Sequence, residues 1–346
     1  MIRERNELTL LAPVDALRSA VLRAASRVTP LVGRRLFADR DARVVLYGVL
    51  ATATALALAV LTPLWLLALG PIVLGVPHLM ADARYLVVRP GLHRRVPFLV
   101  AVLLPLALVW MWPTLAAGLV GVLGAIVVAR GSLARKALLA TAWAVVFAGA
   151  LALGRTGDVL FAHLHNFVAV GLWWAWTGKR RPMHALVLLA FALGLAFCFF
   201  GPAVDIVWKV HAFAAPGSGL DLGREVRSLS PVANPTLGVR FVLAFAFAQS
   251  VHYAVWLRVL PEDDRRRPGM RSFASSWKAL LADMGVVPVA IAGAVLVSLL
   301  AWALRDPAAA RDGYLRLAIS HGHLELAVIA LLLVEGVRPR DAAAKT

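Results

Sequence analysis

Six of the nine histidines lie inside long apolar runs: His78, His163, His165, His252, His321 and His323. Ionisable groups at membrane depth are costly, usually face the interior of a bundle and mark function. Each brings polar company at helical spacing. In "GVPHLMADARY" His78, Asp82 and Tyr85 follow one another by four and three residues, which puts them on one face. In "FAHLHNF" Asn166 stands three residues after His163, whereas His165 is turned about 200° from His163. "QSVHYAVW" aligns Gln249, His252 and Trp256, and "SHGHLELA" aligns His321 with Glu325, with Gly322 leaving room for close approach.

The chemistry such a set can do is metal binding. Neutral imidazole suits iron, copper or zinc, and no thiolate is available to select otherwise. Two residues apart on a helix seldom reach one ion, so one ligand is expected from each His-x-His pair. The expected metal ligands are His78, His163, His252 and His321, with His165 and His323 as alternates. His163 and His321 take precedence because each has its own polar neighbour. Asp82 and Glu325 are either further ligands or acceptors that orient a histidine through its other N–H. Asn166, Gln249 and Tyr85 are expected around the ligands.

These residues need a scaffold in lipid. The chain of 346 residues is 61% hydrophobic and only 16% charged, against nearer a quarter charged in soluble domains. Its apolar runs have the length that crosses a bilayer as helix. The fold class is all-α, a polytopic transmembrane bundle. Ten spans are expected near 44–68, 71–88, 96–112, 114–130, 134–153, 158–178, 183–203, 237–260, 284–304 and 315–336. All six histidines then fall on even-numbered spans. With span two starting at Pro71, His78 sits about 10 Å from the outer surface at 1.5 Å per residue.

Charge sets the orientation. With a cytoplasmic N-terminus, 28 of the 36 basic residues gather on that side and eight on the other, which supports an even count and cytoplasmic termini. The net charge of +17 is spread over short loops, so nucleic acid is not an expected partner. The sole cysteine, Cys198, excludes an intramolecular disulfide and cysteine metal clusters. A basic bias of this kind fits a bacterial inner membrane.

The domain reading has three parts. Residues 1–43 form a basic amphipathic segment, either a surface helix or a basic tail, with Val14, Leu17, Val21, Ala25 and Val28 at helical spacing and Asp15 as a cap at its start. No cleavable leader is expected there. The transmembrane domain covers 44–336, and 337–346 is a basic tail. A non-cytoplasmic loop at about 204–236 is either a lid or a connector, and its His211 could join a site from above. His93 and His184 are expected at the interface.

At these motifs the chain resembles the Brp/Blh family of membrane proteins, which includes β-carotene 15,15′-dioxygenases. The likeness lies in "GVPHLMAD" (75–82), "FAHLHNF" (161–167), "QSVHYAVWL" (249–257) and "SHGHLELA" (320–327). It follows the order of the histidine helices, not continuous similarity. The resemblance implies Fe(2+) held by His78, His163 or His165, and His252, with His321 or His323 near the site. It also implies cleavage of a carotenoid by dioxygen to retinal. Two positions depart from the family pattern: Leu79 stands where a glycine is expected, and Trp256 where a second histidine is expected.

The reading that follows is an iron-dependent membrane oxygenase whose partners are membrane lipid, a lipophilic small-molecule substrate and dioxygen. Trp173, Trp174, Trp176, Phe245, Phe247 and Trp256 either line its chamber or pack against lipid. A lipid hydroxylase or desaturase would show clustered histidine boxes that this sequence lacks. A proton-coupled carrier would use His78/Asp82 and His321/Glu325 as relays. A b-type haem protein would pair histidines across two helices, and copper or zinc would serve the same ligands as iron.

Overall fold

The computed structural model describes residues 2–28, 39–176, 181–213, 215–217, 219–265 and 269–344. Residues 29–38 of the N-terminal segment, 177–178 of the sixth expected span, Lys179, Arg180, 266–268 and Lys345 lie outside the described residues. Every regular element among the described residues is a helix. The chain opens with α1 (Ile2–Val28), α2 (Arg40–Leu61) and α3 (Pro63–Val88). Two short helices follow, α4 (Val96–Leu108) and α5 (Leu115–Val128), then α6 (Leu133–Leu153), α7 (Arg155–Trp176) and α8 (Pro182–Phe200). Next come α9 (Ala203–Lys209), α10 (Leu222–Leu229), the long α11 (Pro235–Asp263) and α12 (Phe273–Met284). The chain ends with α13 (Val286–Ala303), α14 (Pro307–Glu335) and α15 (Pro339–Ala344).

Eight of these helices, α2, α3, α6, α7, α8, α11, α13 and α14, are long and apolar enough to cross a membrane. The third and fourth expected spans are shorter. At 1.5 Å per residue α4 and α5 reach only about 20 Å, against a hydrocarbon core of about 30 Å. They pack backbone to backbone: a Cβ on Gly124 would lie 1.8 Å from the Ala101 carbonyl oxygen. Small residues permit such approach.

The break between the first two spans falls at Thr62, not at Gly70-Pro71, and Pro71 and Pro77 both lie inside α3. Helices in lipid tolerate proline because neighbours and local adjustments satisfy the freed carbonyls. His78 is therefore fifteen residues beyond the helix start at Pro63, about 22 Å along the axis, against about 10 Å for a helix starting at Pro71. Three helices widen into π-helical turns, α3 over Ala83–Val88, α4 over Leu99–Leu103 and α11 over Val255–Val259.

One end of the bundle is basic and ion-paired. Arg95 and the Arg130 N–H both meet Glu335 Oε1, at 2.7 and 3.1 Å. Arg89 pairs with Asp264, which also accepts from Trp176 Nε1 at 2.9 Å. Arg43 and Glu262 form a buried pair at 2.9 Å. His184, expected at the interface, is buried here near Asp41.

The opposite end carries the 204–236 segment, which is fastened down. Asp221 caps α10 by accepting from Arg224 N at 2.9 Å. Buried Glu225 accepts from Arg311 Nη1 at 2.8 Å, and Arg155 donates to the Arg227 carbonyl at 2.6 Å. His211 sits in an exposed left-handed turn with φ 51° and belongs to no histidine cluster among the described residues.

Asp15 also departs from expectation. It lies in the middle of α1 and caps another helix, accepting from Phe273 N at 2.7 Å and Ala274 N at 3.1 Å. Val14, Leu17 and Val21 remain exposed on α1.

Candidate metal centre

Four of the eight long helices each contribute one imidazole to a cluster, in which His78 from α3, His252 from α11 and His321 from α14 turn ring nitrogens toward one another and His165 from α7 packs its ring against the last two. The rings of His78 and His252 are 4.6 Å apart between centres, and those of His78 and His321 are 5.1 Å apart. His165 closes the figure, 5.2 Å from His252 and 5.1 Å from His321. Ring nitrogens of His78, His252 and His321 all lie within 4.8 Å of one another. The expectation of one histidine per helix agrees with this geometry.

Backbone carbonyls fix two of the tautomers. His165 Nδ1 is 2.8 Å from the Ala162 oxygen and His321 Nδ1 is 2.5 Å from the Ala318 oxygen. A carbonyl only accepts, so each Nδ1 carries the proton and each Nε2 offers a lone pair. His321 Nε2 is buried without a hydrogen-bond partner. His78 Nε2 and His252 Nε2 stand 3.1 Å apart, with a proton or a cation needed between them.

Two buried carboxylates edge the imidazoles. Asp82 Oδ2 is 3.3 Å from His78 Nε2, one turn on along α3 as expected. Glu325 Oε1 is 3.7 Å from His252 Nε2 and accepts from Trp256 Nε1 at 2.9 Å. The i+4 alignment predicts His321 as its partner, but His321 at the start of its helical stretch turns Nδ1 back to the Ala318 carbonyl. Glu325 instead serves α11. Neither carboxylate has a lysine or arginine partner among the described residues. Both Asp82 oxygens and Glu325 Oε2 are buried without a hydrogen-bond partner.

His163, the preferred member of its pair, is not in the cluster. Its Nε2 donates to the Leu229 carbonyl at 2.8 Å, and its ring packs against Phe241 and Phe245. The 200° turn between the two positions sends one ring to the α10 cover and the other inward. The polar neighbour used to choose between them misled, because Asn166 Nδ2 turns back to the Ala162 carbonyl at 3.1 Å. Of the other pair, His321 joins the cluster, while His323 lies against Phe161 and fits where Gly118 has no side chain.

Tyr85 is also remote. Two turns beyond His78 and inside the π-helical turn, it packs edge-on to Trp176 at 5.8 Å, with Arg84 and Arg89 over its ring. Gln249 and Asn166 line a cavity of about 290 Å³ that reaches His165, His321 and His323. Phe161, Phe245, Tyr253 and Tyr314 form much of its wall, and exposed Pro113 and Leu315 lie on its rim. Of the aromatics named from sequence, Phe245 alone lines this cavity; Trp173, Trp176 and Phe247 are core and Trp174 is exposed. Tyr314 gave no signal in the sequence, since it lies in the polar first half of α14.

Comparison with family models, curated proteins and solved structures finds no match to this chain.

Proposed function

We propose that this is a histidine-ligated, iron-dependent membrane oxygenase acting on a lipophilic substrate, with a carotenoid cleaved to retinal as the preferred reaction. The observation that carries the reading is the meeting of imidazoles from four helices beside two buried carboxylates that have no lysine or arginine partner among the described residues. A buried carboxylate is costly without a balancing charge, and a cation among the imidazoles would supply that charge to Asp82 and Glu325. With metal–nitrogen bonds of about 2.1 Å, neighbouring ligand nitrogens stand about 3.0–3.4 Å apart, and the His78–His252 separation of 3.1 Å fits. His78, His252 and His321 would hold the ion, with His165 as the fourth corner. Asp82 and Glu325 would be ligands or charge partners.

Iron in such a site supplies dioxygen activation when positions stay open. The chain's own residues do the rest. Phe161, Phe245, Tyr253 and Tyr314 give the cavity an apolar wall that positions a polyene and excludes water. A cavity of about 290 Å³ takes one stretch of a long polyene while the remainder stays in lipid. One oxygen atom would join each carbon of the severed double bond, so dioxygen is consumed without another reductant. The His78 and His252 Nε2 atoms, 3.1 Å apart, would both reach a bare ion.

The test is expression in carotene-producing cells, with pigment extraction and metal analysis of the purified protein. Loss of orange colour, appearance of retinal and non-haem iron are the expected results. Iron-loaded protein that leaves the carotene intact would overturn the substrate, and metal-free protein would overturn the site.

A further inference from the structure

A second cavity, of about 510 Å³, lies on the far side of Trp256 from the histidines, between α1, α3, α11, α12 and α13. Val76, Met80, Leu280 and Leu296 contribute to its apolar wall. Its lining also holds four arginines, Arg18, Arg84, Arg258 and Arg271, and among the described residues no carboxylate, with Asp283 and Asp15 bonded to lining residues from outside it, so that the arginines outnumber the adjoining carboxylates. Arg84 is paired with Asp283 at 2.6 Å, and Arg258 lies 3.9 Å over the Tyr47 ring. Arg271 is exposed and has no ion pair among the described residues, while Arg18 stacks over Phe273 at 5.9 Å. A polar chamber of about 680 Å³ borders the groove and shares Arg84, Tyr85, Pro261 and Arg271 with it. α12 presents exposed Phe273 and Trp277 beside the groove, as interfacial anchors do.

We infer that this groove binds one anionic phospholipid, with an acyl chain along the apolar wall and its phosphate among the arginines. The charge surplus selects an anion and the apolar depth selects an amphiphile. A free phosphate satisfies only the first condition and a neutral lipid only the second. The site does not depend on the metal reading, since no histidine lines it.

The test uses the full chain in dodecyl maltoside. Binding is followed by native mass spectrometry and thermal unfolding, with dioleoyl-phosphatidylglycerol, dioleoyl-phosphatidylcholine or inorganic phosphate added. Phosphatidylglycerol is expected to bind one per chain and raise the melting temperature, and the other two to do neither. Each arginine near an anionic headgroup contributes about fivefold to affinity, so Arg18→Gln with Arg271→Gln should weaken binding about 25-fold. A Cβ added at Gly293 would meet nothing within 4 Å, so Gly293→Leu should fill the groove without disturbing the fold and also abolish binding. Equal binding of phosphatidylcholine, an equal effect of phosphate alone, or wild-type binding by both variants would overturn the proposal.

Discussion

The indole N–H of Trp256 donates to Glu325 Oε1 at 2.9 Å, and the same oxygen stands 3.7 Å from His252 Nε2. The indole thus holds a carboxylate against the imidazoles. Trp256→Phe keeps the ring but removes the donor. Leaving a buried acceptor unsatisfied costs about 1–3 kcal/mol, which thermal unfolding will read. Loss of a supporting partner typically weakens metal binding about 10–100-fold, which metal analysis after dialysis against a chelator will read. Unchanged metal retention would show that Glu325 needs no help from Trp256.

His163 and His165 provide an internal control. His78→Ala, His252→Ala and His165→Ala should each lower bound iron by about tenfold or more. His163→Ala should leave iron content near wild type, because its ring is committed to the Leu229 carbonyl. Iron lost from His163→Ala and kept by His165→Ala would reverse the assignment.

Gly118 is expected to tolerate no side chain. An added Cβ would lie 1.9 Å from His323 Cδ2. Overpacking of this kind costs about 1–3 kcal/mol. Gly118→Ala should therefore lower the melting temperature, and His323→Ala on the same chain should restore most of it. A double variant no better than the single would locate the strain elsewhere.

The Glu225–Arg311 pair should behave as a buried ion pair. Removing one partner of such a pair costs about 3–5 kcal/mol. Arg311→Ala should therefore melt early, and Glu225→Ala less so because Arg311 keeps Asp312 Oδ1 at 3.0 Å, whereas replacing both Glu225 and Arg311 with leucine and methionine should cost much less. Equal losses in single and double variants would contradict this.

Much of the bundle was legible because hydropathy reports helix length directly. The ten expected segments each correspond to a helix, but α4 and α5 are shorter than the expected spans; in α4 the reason is that residues 109–113 leave the helix after Leu108. The convergence of His78, His252 and His321 was readable from imidazoles recurring in separate apolar runs. The choice within the His163/His165 pair was not. It depends on how α7 is rotated in the bundle, and that rotation is set by packing against α11 and by the α10 cover. Tyr85 failed for a related reason: spacing along an ideal helix ignores the π-helical turn at Ala83–Val88. The Asp15 contact with α12 joins residues more than 250 positions apart, and no local pattern encodes it.

The fastened 204–236 segment has one more consequence. Leu229 roofs the 290 Å³ cavity, and the rim at Pro113 adjoins exposed Trp110, Met111 and Trp112. Such residues favour headgroup depth, so the proposed lipophilic substrate would enter past this rim from the bilayer. Arrival of an occupant is then a two-dimensional search. Its rate should track the mole fraction of that compound in the membrane, and adding inert lipid should slow filling even when the total amount in suspension is held constant.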